Sequence, residues 1–154
     1  MVITHGLEGS SNSPYVISLT EILNNNGYDT VAINLRGCSG EPNRLLSSYH
    51  SGKTEDLDEV IQYIQSNYSY SEINLVGYSL GGNLTLKYIG EAERKHIHCA
   101  VAISVPCDLK STALKMNTFS NRMYLKRFLK TLKKKAYQKV EQFPDSFLTK
   151  ETIA

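Results

Sequence analysis

The sequence predicts an α/β protein, a parallel sheet with helices packed against it. Three observations lead there. Short runs of apolar and β-branched residues alternate with longer segments whose apolar residues recur at helical spacing. The short runs are almost unbroken apolar stretches, the pattern of strands covered by helices on both faces. The stretches between them are rich in Gly, Ser and Asn, the residues of turns.

Val2, Ile3 and Thr4 make the first strand, followed by a Gly/Ser-rich loop over residues 6–14. Ser13-Pro14 reads as a helix start, with Ser as N-cap and Pro at the first helical position. Val16, Ile17, Leu19, Ile22 and Leu23 form the apolar stripe, and Gly27 stands where a helix end needs positive φ. Residues 30–33 are a second strand. A long loop over 36–52 holds Gly37, Gly40, Pro42 and Gly52. Thr54 reads as the next N-cap, with Asp56, Asp58 and Glu59 where the helix dipole favours acids. Leu57, Val60, Ile61 and Ile64 make that helix's buried stripe. Residues 73–76 are a third strand, 81–92 a helix and 100–105 a fourth strand. After Pro106 the pattern turns helical. Leu125, Phe128, Leu129 and Leu132 are expected to face the protein, interleaved with basic residues.

With 154 residues the chain suits one domain with one core. Its 41% apolar content excludes a disordered class. No apolar run approaches the ~20 residues of a membrane span, and no secretory leader is visible. Cys38, Cys99 and Cys107 are odd in number and lack C-x-x-C spacing, against a disulfide framework or zinc site. A cytoplasmic setting is expected, with no metal and no cofactor. Cys38 reads as a small packing residue, and Cys99 and Cys107 as buried beside the fourth strand.

The net charge of +2 hides an asymmetry. Residues 1–109 hold 6 Lys+Arg against 12 Asp+Glu, and residues 110–154 hold 11 against 3. The default reading of the basic stretch is a solvated helix face; an acidic partner or an anionic membrane surface is the alternative. No nucleic-acid partner is expected.

The strongest chemical signal is Ile73-Asn-Leu-Val-Gly77-Tyr-Ser79-Leu-Gly81-Gly82-Asn83, Gly-x-Ser-x-Gly between a strand and a helix. In that context it reads as a nucleophile elbow, a sharp turn that exposes the serine hydroxyl above the sheet. Gly77 and Gly81 are required because side chains there would clash with the neighbouring strand and helix. The helix N-terminus faces the hydroxyl, so a forming oxyanion meets positive dipole and the free N–H of Leu80. The alternative is a phosphate-binding turn. His5-Gly6-Leu7-Glu8-Gly9-Ser10 follows the first strand and offers a second oxyanion donor, the N–H of Leu7. His5 is expected to fix this loop and is only a minor candidate for the base.

Together these motifs resemble the α/β-hydrolase fold. A longer series of blocks resembles its YheT-like branch, whose eukaryotic relatives act on lipid esters. The blocks are His5-Gly-Leu-Glu-Gly-Ser-Ser11, Asn34-Leu-Arg-Gly-Cys-Ser-Gly-Glu-Pro-Asn43, Ser48-Tyr-His-Ser-Gly52 with Thr54-Glu-Asp56, and Gly77-Tyr-Ser-Leu-Gly-Gly-Asn83. Ser104-Val-Pro-Cys-Asp108 and Tyr124-Leu-Lys-Arg-Phe-Leu129 complete the series.

The resemblance implies a partial α/β-hydrolase fold over residues 1–108, carrying strands three to six of the family. A basic, helical cap-region segment over 109–154 follows. The implied strand order is 30–33, 2–4, 73–76, 100–105, all parallel. It implies a serine hydrolase of a carboxylic ester with an acyl chain, Ser79 attacking and Leu7 and Leu80 holding the oxyanion.

The family's acid in an Asp-Asp-Pro-like loop and its His in a Gly-Gly-His turn have no counterpart in this sequence. Asp108 and His50 are minor candidates for these roles. His96 and His98 precede the fourth strand and fall at the sheet edge opposite Ser79, roughly 13–20 Å away by the length of a short strand. Two function classes therefore stand. One is a serine esterase acting on a small-molecule ester. The other is a catalytically silent, partner-dependent binding module. The unpaired outer strands are expected to invite association, and the basic segment admits peripheral membrane contact.

Overall fold

A computed structural model describes residues 1–94 and 96–153. The strands β1 (Val2–Thr4), β2 (Val31–Ile33), β3 (Ile73–Tyr78) and β4 (Ile97–Ile103) form one sheet in the order β2-β1-β3-β4, every pair parallel. This is the order and direction the sequence implies. Parallel neighbours need crossover connections, and these carry α1 (Pro14–Asn25), α2 (Glu55–Asn67) and α3 (Leu80–Glu91). After β4 come α4 (Leu109–Met116), a 3-10 turn (Phe119–Asn121), α5 (Arg122–Gln142) and α6 (Lys150–Ile153).

Local chemistry accounts for most boundaries. Pro14 opens α1, and Gly27, at φ +83°, turns the chain after it. Thr54 precedes α2 as expected but does not cap it with its side chain. Its hydroxyl instead donates to Glu91 Oε2 of α3 at 2.6 Å, joining two helices. β4 starts at Ile97 and stops at Ile103, because Ser104 takes φ +54° and breaks the extended run. Near the start of β4 the register with β3 slips at Ile73/Asn74, where the buried Asn74 carboxamide accepts the Cys99 N–H at 3.1 Å.

The core lies on the inner strands. Val2, Ile73 and Leu75 pack with Leu57, Ile61 and Ile64 of α2 and with Tyr88 of α3. Ile3 and Val76, on the opposite face by alternation, are buried, as is Val16 of α1. The outer strands differ from the expectation of helices on both faces. Val31 of β2 is 39% exposed and Val101 of β4 46%. Cys99 and Cys107 are exposed, not buried. β4 is the edge strand of the sheet among the described residues, with no further strand paired to its outer side.

The expected inward face of α5 is found at Leu125, Phe128 and Leu132, which are half-buried, while Leu129 is exposed. Two lysines take up the inward side instead. Lys139 is buried and donates to the Asn43 and Leu45 carbonyls of the 36–52 loop. Lys135 reaches the loop after β1, as described below.

Candidate active site

The turn from β3 into α3 leaves no room for ordinary side chains. A Cβ on Gly77 would come 2.4 Å from the Gly81 carbonyl oxygen, and one on Gly81 2.4 Å from the Thr4 carbonyl oxygen. Both contacts are with backbone, so nothing can swing aside. The strand thus runs directly into the helix. Ser79, between them, sits at φ +52°, ψ −115°, a conformation that costs a non-glycine residue on the order of 1–3 kcal/mol. Two backbone hydrogen bonds hold it there. Its N–H donates to the Ile103 carbonyl at 2.8 Å, and its carbonyl accepts from Asn83 at 3.0 Å. Leu80 opens α3, and its N–H has no acceptor among the described residues.

A second turn, Gly6 to Gly9, comes from β1 and lies against the first. It closes on a Gly9 N–H to Gly6 carbonyl bond of 3.0 Å. A Cβ on Gly6 would stand 3.2 Å from Ser79 Cβ, which measures how closely the two turns approach. The Leu7 N–H has no acceptor among the described residues.

The turn is held from three sides. His5 is fully buried and uses both ring nitrogens. The Leu35 N–H donates to Nε2 at 3.1 Å, so Nδ1 carries the proton and donates to the Gly6 carbonyl at 2.7 Å. Burial holds its pKa below the ordinary imidazole value, so the ring is neutral. The Tyr15 hydroxyl accepts the Gly6 N–H at 3.0 Å. Glu8, at φ +55°, donates its N–H to the Tyr49 hydroxyl and accepts that hydroxyl's proton on Oε1 at 2.6 Å. The same oxygen takes the Lys135 ammonium of α5 at 2.8 Å.

Burial pushes the Glu8 carboxyl up, but Lys135 and Tyr49 outweigh it and hold the pKa below the usual carboxylate range. Tyr49 is driven well above the phenol value by burial and by the Glu8 carboxylate. Cys38 lies 3.3 Å from Lys135 Nζ, yet burial dominates and raises its thiol pKa. Arg36, two residues before Cys38, is engaged in a two-pronged pair with Asp56 at 2.6 Å. A cavity of about 660 Å³ opens between this turn, the 36–49 stretch and α5, lined by Glu8, Tyr49 and Lys135 but not by Ser79.

Ser79, Gly6 and the adjoining Leu7 and Leu80 are therefore brought to one place at the C-terminal edge of the central strands. Of the minor candidates, none is hydrogen-bonded to Ser79 among the described residues; His5 lies beside Gly6 but is engaged at both ring nitrogens. Asp108 is exposed and caps α4, accepting the Ser111 N–H at 3.0 Å; Ser111 lowers its pKa. His50 is exposed and accepts the Gly52 N–H at 3.1 Å within its own turn. His96 lies 3.4 Å from the Tyr88 hydroxyl and His98 3.6 Å from Glu72, at the start of β4 and so at the opposite edge. No imidazole is hydrogen-bonded to Ser79 among the described residues. No group of three or more His, Cys, Asp or Glu converges there as a metal site either. Tyr15, Tyr49 and Lys135 were not legible as partners of the Gly6–Gly9 turn, because nothing in local sequence marks contacts over such separations.

A parallel sheet whose central strand delivers a serine at positive φ to a helix N-terminus, faced by a glycine turn from the next strand, is the architecture of an α/β hydrolase. The chain belongs to that family: the alpha/beta hydrolase fold profile matches residues 1–150. It is 38% identical to YheT of Escherichia coli over 94% of this chain and 43% of that protein. It is 29% identical to the monoacylglycerol lipase of Saccharomyces cerevisiae over 77% of this chain and 27% of the lipase. Among solved structures, the Pyrococcus furiosus esterase Pf2001 superposes with a TM-score of 0.64 at 29% identity, covering 77% of this chain and 47% of that one. The chain spans less than half the length of these relatives.

Proposed function

We propose that the chain carries the nucleophile and oxyanion hole of a serine hydrolase acting on carboxylic esters with an acyl chain. Ser79 attacks the ester carbonyl, and the Leu7 and Leu80 amides receive the oxyanion beside the positive end of α3. The observation that carries this reading is Ser79 at φ +52° with Gly6 packed on its Cβ, a strained serine beside amides without acceptors. The esterase and lipase names among its relatives support the substrate class. Residues 1–108 form the catalytic half of this arrangement and 109–154 the cap region. The three free thiols fit a cytoplasmic setting. The general base and its carboxylate partner come from outside these residues, since His5, His50 and Asp108 are all committed elsewhere.

That commitment also favours the second reading, a silent binding module of the same fold. Added imidazole separates the two, because it offers the missing base from solution. Turnover of p-nitrophenyl butyrate is measured with and without imidazole in the wild-type chain and in Ser79→Ala. The esterase reading expects a rate that rises with imidazole in the wild type beyond the rise in Ser79→Ala. Identical curves sink it and leave the binding module.

A further inference from the structure

The region from α4 into α5 exposes a surface that the sheet and its chemistry do not use. Phe119 is 90% exposed, Met123 84%, Leu114 65% and Tyr124 64%. These are the largest apolar exposures outside the terminal stretch, and they gather at one end of α5. A solvated basic face does not account for them. Beside them a cleft of about 410 Å³ separates the 3-10 turn from α5, walled by Phe119, Leu125 and Leu129 and edged by Arg122 and Lys126. Along the helix Met123, Arg127, Lys130 and Lys134 follow at i, i+4, i+7 and i+11, one stripe, all exposed. Lys135 and Lys139, which make the inward contacts, lie off this stripe.

We propose that this end of α5 is a docking surface for an anionic lipid bilayer. Two chemistries meet there as a lipid–water interface requires. Phe119, Met123 and Tyr124 supply apolar tips to enter the headgroup boundary, and the cationic stripe lies where lipid phosphates would sit. Lysine and arginine stems lie along apolar surface while their charges stay wet. The contact is peripheral: among the described residues no helix is long and apolar enough to cross a membrane. Charge complementarity selects the occupant, because over 122–142 six Lys+Arg besides the inward Lys135 and Lys139 stand against one acidic residue. A nucleic acid would use the cations but leave Met123 and Leu114 without a partner.

The test is flotation of the full chain with phosphatidylcholine vesicles containing one-third phosphatidylglycerol, and with phosphatidylcholine alone. Binding is expected only to the anionic vesicles and is lost near ~1 M salt, where the screening length falls to about 3 Å. Lys126→Gln with Arg127→Gln is expected to weaken partition about 25-fold, near fivefold per cation. Phe119→Ser with Met123→Ser weakens it severalfold; all four positions are exposed, so an unchanged thermal transition certifies the fold. Equal binding to both vesicle types, no binding, or insensitivity to both double substitutions overturns the proposal. So does a change of oligomeric state in Phe119→Ser/Met123→Ser with vesicle binding unaltered, which assigns the face to a second copy. Salt-sensitive capture of duplex DNA by a chain that ignores vesicles overturns it too. Ser79→Ala binds vesicles as the wild type does, so this result stands apart from the catalytic reading.

Discussion

The β3–α3 turn and helix α5 are held in place by opposite means. At the turn the glycines leave no space for a side chain: a Cβ on Gly77 would strike the Gly81 carbonyl, one on Gly81 the Thr4 and His5 carbonyls, and one on Gly6 would crowd the Ser79 Cβ. α5 is docked by long side chains, with Lys139 on two loop carbonyls and Lys135 on Glu8, while its apolar residues are at best half-buried. The first region is defined by steric exclusion and tolerates no added atom. The second is defined by a few charge-assisted hydrogen bonds and should be soft.

The sharpest break of that contrast is Gly81→Ala. A methyl 2.4 Å from a backbone oxygen forces β1 and α3 apart. The expected loss is about 4 kcal/mol or more, seen as the disappearance of a cooperative urea transition. Ile61→Ala, in the buried α2 stripe, removes apolar contact without a clash. It is expected to cost about 2–5 kcal/mol by the same measurement. Lys139→Met leaves two loop carbonyls without their donor, at about 1–3 kcal/mol. Its signature should be faster amide exchange in the 36–52 loop with the sheet unaffected. An equal loss of protection in β1 and β3 would erase the distinction between the two regions.

The smallest effect is a pH dependence centred on the Gly6–Gly9 turn. Burial keeps His5 neutral in the folded chain, whereas the unfolded chain protonates it near pH ~6.5. Below that pH the unfolded state binds more protons, so stability falls as pH falls. Glu8, whose pKa is also depressed, adds a further loss below the usual glutamate pKa of about 4.3. Urea midpoints should therefore decline from pH ~7 to ~5, and the decline should flatten in His5→Gln. A flat wild-type profile would mean that His5 does not tie the turn down.

Much of the inner region was legible from the chain alone. Gly-x-Ser-x-Gly between an apolar run and a helical stripe states its geometry locally, because the Gly77 demand acts within the motif, against the Gly81 carbonyl, although that on Gly81 is set by Thr4 of β1. The role of His5 in fixing the loop followed from its place before Gly6. The strand order needed the resemblance of the whole series of blocks, since periodicity alone says which residues are strands but not which are neighbours.

The clamp around Glu8 had no local trace. Tyr49 and Lys135 stand 41 and 127 residues from Glu8 in the turn they fix, and a lysine run on an amphipathic helix looks the same whether a given ammonium meets water or a buried carboxylate. The exposure of Cys99 and Val101 was equally hidden, because an apolar strand reads alike at the centre of a sheet and at its edge. Periodicity and turn chemistry act over a few residues and so are written in the order of amino acids. Which charge is paired and which strand is covered depends on what folds against it, and that is settled only when distant segments meet.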